Sequence, residues 1–194
     1  LHGLLLIVVA TAGLLGTLCL FVLLPGLGLI YRLLMLAGFV LLCAIWVMTT
    51  LLSGMKRYKH IVIMFGVSYS LIVISALLLR PFGLEGLLAG FVIGNFVLLA
   101  GMWVLTVREF SLREKLISFE FADRKVLYPT LIAIGFLYNF GVWIDKFMFW
   151  YFPPTSDAII GHLRASLIYD LPVFLSYLSI IPGMAVFLVR IETD

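Results

Sequence analysis

Charged residues are scarce in this chain of 194 residues. Asp, Glu, Lys and Arg together make up 12% of it, about half of their share in soluble domains, and the formal net charge is only +3. Such a sequence has too few basic residues for a nucleic-acid-binding protein and too few charges for a disordered one. Hydrophobic residues make up 64% of the chain, and the mean hydropathy is +1.22. The composition therefore predicts a protein that lies in lipid.

Cysteine and histidine are also sparse, with two and three residues. Cys19 and Cys43 each stand alone inside an apolar run, which excludes a disulfide framework and the ligand spacing of a metal site. His2, His60 and His162 are isolated from one another, and the sequence contains no HExxH motif, no phosphate-binding P-loop and no GxSxG nucleophile turn. We therefore predict that the protein is not an enzyme, binds no metal and uses no cofactor.

Long apolar runs account for most of the chain. A helix needs roughly 20 apolar residues to cross a hydrocarbon core of about 30 Å, and six stretches reach that length. They cover residues 4–24, 33–55, 61–79, 86–107, 126–144 (continuing past a charged pair to 151) and 171–189. These runs are solidly apolar and lack the alternation of a membrane β-strand. The sequence thus predicts an all-α polytopic membrane protein with six transmembrane helices.

Lysine and arginine are distributed unevenly between the two ends of these helices. Of the 13 basic residues, nine follow the second, fourth and sixth runs: Lys56, Arg57, Lys59, Arg108, Arg113, Lys115, Arg124, Lys125 and Arg190. Three lie on the opposite side, namely Arg32, Arg80 and Arg164, and Lys146 lies inside a run. Because basic loops resist translocation, we expect residues 53–60, residues 108–125 and both ends of the chain to face the cytoplasm.

The connection at 108–128 is the longest charged stretch. Apolar residues recur in it with helical spacing, which predicts an amphipathic interfacial helix linking two bundles, and an ordinary solvated cytoplasmic loop is the alternative. The predicted domains are four transmembrane helices in residues 1–107, this linker, and two transmembrane helices in 129–194. The chain starts at Leu1 and stops at Asp194 directly after an apolar run, so we expect a fragment of a longer protein.

Glycine and proline mark positions of helix packing. Gly86, Gly90 and Gly94 recur at four-residue spacing on one face of the fourth helix, where a neighbouring backbone can approach closely. Participation of that groove in a transport pathway is the second interpretation. Pro182 and Gly183 fall in the middle of the sixth helix and predict a kink, which in transporters can serve as a bending point.

The fifth helix carries a charged pair, Asp145 and Lys146, within an apolar run. Ionisable groups in a membrane helix typically face a wet cavity or a partner, and adjacent helical residues point about 100° apart, so the two charges do not meet face to face. Lys146 can reach the outer interface with its long stem, whereas Asp145 needs an internal partner or water. Asp145, together with Tyr138, Asn139 and Lys146, predicts the lining of a substrate pathway, and a structural charge pair is the alternative.

Two more polar residues are candidates for that pathway. Asp170 precedes a Leu-Pro pair, where helix capping is the first interpretation and substrate contact the second. Asn95 lies in the fourth helix, where it either cross-links helices by hydrogen bonding or lines a polar path. The connection between the fifth and sixth helices, residues 152–170, is expected to be an outward-facing loop that forms a lid or a docking surface.

Four strings in the chain carry a resemblance to a known family. They are RPFGLEGL at 80–87, LYNFGVWIDKFMFW at 137–150, IYDLPVFLSYLSIIP at 168–182 and VFLVRIETD at 186–194. Together they resemble the PelG family. These strings include Asp145, Lys146, Asp170 and Arg190, to which the resemblance assigns no individual roles.

The resemblance implies a function and a larger architecture. Members of the PelG family are bacterial inner-membrane proteins, similar to polysaccharide flippases of the superfamily that includes multidrug and toxin extruders. They are implicated in moving the Pel exopolysaccharide, a galactosamine-rich, partly de-acetylated polymer, out of the cytoplasm during biofilm formation. The implied partners are membrane lipid, the polysaccharide cargo, other Pel inner-membrane subunits and a cytoplasmic glycosyltransferase. The implied fold has twelve helices in two lobes, so the six runs here correspond to spans three to eight and 108–128 to the interlobe linker.

Two other functions stay open at this point. One is a flippase of the same fold that moves a different lipid-linked sugar or a small molecule. The other is a non-transporting membrane scaffold for a polysaccharide synthase complex, which would use the segment 108–128 as its docking surface.

Overall fold

The computed structural model describes residues 2–24, 26–109, 128–160 and 163–193. These residues form six α-helices, with a small sheet between the fifth and the sixth. The chain divides into two units, Leu1–Glu120 and Phe121–Asp194, and each is described by itself. Most of the predicted linker at 108–128 lies outside the described residues, so its helix and the three-part division of the chain stay predictions.

The first unit contains four long helices. They are α1 (His2–Leu23), α2 (Leu29–Gly54), α3 (Tyr58–Leu79) and α4 (Gly83–Glu109). Leucine, isoleucine and valine surround each helix on all sides, the pattern of a helix that lies in lipid rather than at a water surface. Each of these helices covers one of the predicted apolar runs, because a solid apolar run of this length satisfies its backbone polar groups only as a helix.

The turn between α2 and α3 is closed by backbone hydrogen bonds. Arg57 N donates to Leu52 O over 3.2 Å, and Lys56 N donates to Ser53 O over 3.0 Å. These two bonds form the Schellman arrangement, which satisfies carbonyl groups left open at a helix end. Lys56 adopts the left-handed φ of 57° that this arrangement needs, at a position where glycine is the common residue.

The helices α3 and α4 run antiparallel and approach closely. A single 3-10 turn, Arg80–Phe82, joins them, and Gly83 then takes a φ of 69°, which glycine adopts without a steric penalty. A Cβ added at Gly90 would lie 2.5 Å from the backbone nitrogen of Ala76. The Ser75 hydroxyl donates to the Gly90 carbonyl oxygen over 3.0 Å. The two backbones therefore touch along a surface that has no room for a side chain.

A buried core fills the space between α2, α3 and α4. Met48, Leu52, Leu98 and Met102 are at most 1% exposed, and Ile61 contributes from α3. Lipid tails are as apolar as leucine, so such a core stabilises a membrane bundle mainly through van der Waals contact.

The second unit consists of two helices and a β-hairpin. Its elements are α5 (Pro129–Tyr151), a 3-10 turn (Pro153–Thr155), β1 (Asp157–Ile160), β2 (Leu163–Ala165) and α6 (Leu167–Thr193). The strands are antiparallel, with Asp157 opposite Ala165 and Ala158 opposite Arg164. This hairpin corrects one expectation, that of a loop over the whole of 152–170. Its strands are only four and three residues long, so no sustained alternation revealed them.

The long helices of the second unit expose their apolar side chains. None of the α5 residues is buried, and Pro129 occupies its first turn, where the missing N–H costs nothing. The helix α6 continues through Pro172 and Pro182, and a Cβ at Gly183 would meet nothing within 4 Å. The kink at Pro182 stays a prediction.

Four stretches of the described chain are long and apolar enough to cross a membrane. They are Gly3–Val22, Leu29–Gly54, Tyr58–Arg108 and Pro129–Tyr151. The third stretch runs through the turn at Arg80–Phe82 and so contains both α3 and α4. In α6 the described side chains form an apolar stretch over Leu167–Ile180. A helical protein with several apolar, membrane-compatible helices is thus confirmed, whereas the count of six spans stays a prediction.

Candidate functional site

Polar and aromatic side chains gather where α5 and α6 meet the β-hairpin. This hairpin-end cluster comprises Asp145, Lys146 and Trp150 from α5 with Tyr169, Asp170 and Tyr177 from α6. Three of its members are pathway residues predicted from the sequence: Asp145, Lys146 and Asp170. The helices position the cluster because antiparallel α5 and α6 bring the end of one against the start of the other.

Asp145 has its partner on the opposite helix. The Tyr169 hydroxyl donates a hydrogen bond to Oδ2 of Asp145, and Oδ1 accepts the backbone N–H of Lys146 over 2.8 Å. The Tyr169 ring also stacks on Phe149, with 4.6 Å between ring centroids and 17° between ring planes. Stacking fixes the ring, so the hydroxyl is held where it can bind the carboxylate.

Lys146 lies on aromatic faces. Its Nζ is 4.2 Å from the ring centroid of Trp143 and 5.7 Å from that of Tyr177. Both distances are within the range of cation–π attraction. The two neighbouring charges of α5 therefore have separate partners on α6, a phenol hydroxyl for the acid and an aromatic face for the base.

Asp170 links three parts of the unit. Its carboxylate accepts the indole N–H of Trp150, with Nε1 3.0 Å from Oδ1 and 3.1 Å from Oδ2. It also accepts the backbone N–H of Ser166 over 3.2 Å, while its own N–H donates to the Ser166 carbonyl oxygen over 2.7 Å. The carboxylate thus accepts the N–H of the residue that precedes α6 and ties the start of this helix to the end of α5.

A second polar contact holds the hairpin. Arg164 on β2 donates from Nε to the Ser156 hydroxyl oxygen over 2.9 Å and from Nη2 to the Ser156 carbonyl oxygen over 3.1 Å. Ser156 and Ser166, which flank the two strands, are both buried. The guanidinium therefore binds the residue that precedes β1 and closes the hairpin across its base.

The other predicted pathway residues on α5 have local roles in this structure. Asn139 donates from Nδ2 to the carbonyl oxygen of Gly135, one turn earlier on the same helix, over 2.8 Å. Tyr138 is 72% exposed. Both residues lie on α5 before Asp145, but the contacts described for them do not join them to the hairpin-end cluster.

Asn95 and the three glycines of α4 belong to the first unit. Asn95 is 3% exposed and donates from Nδ2 to the Phe91 carbonyl oxygen over 2.8 Å. A Cβ at Gly86 would overlap the carbonyl oxygen of Leu79, and one at Gly94 would overlap the side chain of Ile72. These are the contacts of close helix packing, the first of the two interpretations that the glycine spacing allowed.

The sequence did not reveal most partners of the predicted residues. Tyr169 and Tyr177 come from α6, and Trp150 comes from the end of α5. The available signal was the position of both tyrosines in the same string as Asp170, about two turns apart on one helix. Within the described ranges, no group of three or more His, Cys, Asp or Glu residues is placed to hold a metal ion.

Comparison with known families decides the relationship. A family model described as PelG, "Putative exopolysaccharide Exporter (EPS-E)", matches residues 1–194, the whole chain. The chain belongs to the PelG family. PelG is an exporter family, which is not an enzyme class, and its export function agrees with the apolar helices described above. Neither a curated protein nor a solved structure matches the chain.

Proposed function

We propose that this chain is part of a bacterial inner-membrane exporter that moves the Pel exopolysaccharide from the cytoplasm to the periplasm for the biofilm matrix. The observation that carries the proposal is the match of the PelG family model to the whole chain. The apolar helices support it because they are long and apolar enough to cross a membrane. The distribution of lysine and arginine supports an orientation with the basic segments in the cytoplasm.

Among the described residues, those of the hairpin-end cluster are best suited to contact a sugar polymer. The cluster combines two carboxylates, which accept hydrogen bonds from hydroxyl and amino groups, with exposed aromatic rings such as Tyr177, which is 50% exposed. Sites for polar ligands have this combination of a few directed polar groups and apolar surface. We propose that Asp145 and Asp170 bind the passing polymer there.

Asp145 can exchange its partner without breaking the fold. Its carboxylate is exposed, and one of its two oxygens accepts a single phenol hydroxyl from Tyr169. A sugar hydroxyl or amino group offers the same kind of donor, so a bound polymer can replace Tyr169 with little net loss of hydrogen bonding. A cationic polymer would in addition be attracted by the carboxylate charge.

The proposal includes the larger assembly. We place the chain in a transporter of twelve helices in two lobes, with six spans in this chain and residues 108–128 as the cytoplasmic link between lobes. Lipid surrounds the apolar faces, while other Pel inner-membrane subunits and a cytoplasmic glycosyltransferase supply the polymer. This arrangement explains why a long basic segment separates the fourth helix from the fifth.

The test is secretion of Pel polysaccharide by a strain that lacks its own exporter and carries the full-length parent of this chain. We expect the parent to restore secretion and Asp145→Asn to reduce it at equal membrane abundance. Asp157→Asn is the matched control, because Asp157 is an exposed hairpin carboxylate outside the cluster. Absence of restoration with all partners assembled would instead favour a flippase for another cargo.

The scaffold alternative needs its own experiment. Charge reversal at Arg113, Lys115, Arg124 and Lys125 of the full-length protein should abolish capture of the glycosyltransferase if the segment 108–128 is only a docking surface. Transport of polymer by reconstituted vesicles that contain the exporter alone would rule a pure scaffold out.

A further inference from the structure

The ammonium group of Lys146 covers two aromatic rings that come from different helices. Trp143 precedes Lys146 by one turn on α5, and Tyr177 lies on α6, with ring centroids 4.2 Å and 5.7 Å from Nζ. Trp143 is 45% exposed and Tyr177 is 50% exposed. The lysine therefore occupies an aromatic surface that is otherwise open, close to the carboxylate of Asp145.

An aromatic face can hold one of two kinds of group. The negative charge density above the ring attracts a cation and, more weakly, the polarised C–H groups on the face of a pyranose ring. A sugar and the Lys146 ammonium cannot occupy the same face of Trp143 at the same time. Lys146 therefore competes with any sugar that stacks on this face of Trp143.

The ammonium group of Lys146 can also reach the membrane interface. Lys146 lies five residues before the end of α5 at Tyr151, a distance of about 7.5 Å along the helix axis. Its four-carbon stem can carry the ammonium toward the interface, where water solvates it. Because cation–π contacts of exposed groups are weak, moving the ammonium off the rings costs little. Asp145, the neighbouring acid, has a hydrogen-bond donor of its own in Tyr169.

We propose that Trp143 and Tyr177 form a sugar-stacking subsite and that Lys146 covers it until the polymer displaces the ammonium. This inference rests on the proposed export function and adds to it a subsite and the residue that controls access to it. Lys146 acts here as an internal competitor of the cargo, and the aromatic pair is shared between α5 and α6, so a stacked sugar bridges the two helices.

The test measures binding of a neutral N-acetylgalactosamine pentamer to the purified full-length protein labelled with 5-fluorotryptophan. Lys146→Met removes the ammonium and keeps an unbranched stem, so we expect about 3- to 10-fold tighter binding. Lys146→Arg is the matched control, since a guanidinium also lies well on aromatic faces, and it should bind like the wild type. The fluorine resonance of Trp143, assigned by its loss in Trp143→Phe, should shift on binding.

A double variant tests the contribution of Tyr177 to the subsite. Tyr177→Leu in the Lys146→Met background should return the affinity to the wild-type value or below, because half of the stacking surface is gone. Equal affinity of the wild type and Lys146→Met, or no shift of the Trp143 resonance, would overturn the inference, and so would absence of binding by every variant. The proposed function fails separately, if the full-length parent does not restore secretion.

Discussion

The two units of this chain hold their helices together by different means. In the first, α3 and α4 touch backbone to backbone at Gly90, and a core of fully buried methionine and leucine joins them to α2. In the second, α5 has no buried residue, and polar or aromatic contacts connect it to α6 at the hairpin end. The difference shows that equally apolar helices can serve either as a packed scaffold or as surfaces joined at one end. The second arrangement leaves polar groups accessible, and the hairpin-end cluster lies there.

The largest effect should come from opening the core of the first unit. Met102 is 0% exposed, whereas Met148 on α5 is 68% exposed. We expect Met102→Ala to destabilise the protein by about 2–5 kcal/mol and Met148→Ala to change stability by about 0.5 kcal/mol or less. Thermal unfolding in detergent measures both. Similar losses of stability for the two substitutions would mean that the two units do not differ in how tightly their helices are packed.

Overpacking the glycine surface should have the next largest effect. Gly90→Ala places a methyl group against the α3 backbone, and we expect a loss of about 1–3 kcal/mol. Gly66→Ala is the matched control on α3, because its added Cβ meets nothing within 4 Å. Membrane abundance and unfolding temperature should both fall for the first and stay constant for the second. Tolerance of Gly90→Ala would contradict backbone contact between α3 and α4.

In the second unit, the strongest contact to break is the indole–carboxylate bond. Trp150→Phe keeps an aromatic ring but removes the donor to Asp170, and we expect a loss of about 1–2 kcal/mol, reduced by the partial exposure of the pair. Hydrogen exchange should become faster in β1 and at the start of α6 while α3 and α4 keep their protection. Trp46→Phe, at an exposed position of α2, is the control that should change neither region.

Removing the phenol hydroxyl should have a smaller structural effect. Tyr169→Phe retains the stacking on Phe149 and loses only the bond to Asp145, which should cost about 0.5–1.5 kcal/mol or less, since the pair is exposed. Tyr69→Phe, on the exposed surface of α3, is its control. If Asp145 exchanges Tyr169 for cargo, Tyr169→Phe should leave the polymer bound at least as tightly as in the wild type. Weaker binding would assign Tyr169 a direct contact with the polymer.

The smallest effect should come from Ser75→Ala. This change removes the hydrogen bond from Ser75 to Gly90 between α3 and α4, and hydrogen bonds between membrane helices contribute on average about 0.6 kcal/mol. Ser70→Ala is matched to it, because Ser70 donates only to Gly66 of its own helix, and we expect almost no change. A difference of several kcal/mol would mean that polar contacts, rather than close packing, hold the first unit together.

The helices could be predicted from the sequence because each leaves the same strong signal. Runs of about 20 apolar residues permit only one backbone structure in lipid, so α1 to α5 cover the predicted stretches. The close approach at Gly86, Gly90 and Gly94 was also predictable, since small residues at four-residue spacing share one helix face. A low charge content and these two patterns were sufficient for the fold class.

The partners of the charged residues could not be predicted in the same way. The need of Asp145 for a partner follows from its surroundings, but Tyr169 lies 24 residues away, beyond a connection whose path the sequence does not determine. The hairpin strands at Asp157–Ile160 and Leu163–Ala165 are too short to show alternation. In each case, the contact depends on how the chain returns from α5 to α6.

The bond between Trp150 and Asp170 has a consequence for engineering. It joins the two ends of the segment 150–170, which contains the β-hairpin. Within this segment Arg164 binds Ser156. Lengthening a segment whose ends are already fixed adds little loop-closure entropy. An epitope or a small fluorescent tag inserted between β1 and β2 should therefore leave the helices in place. Labelling of that tag in intact cells would reveal which face of the membrane the hairpin occupies.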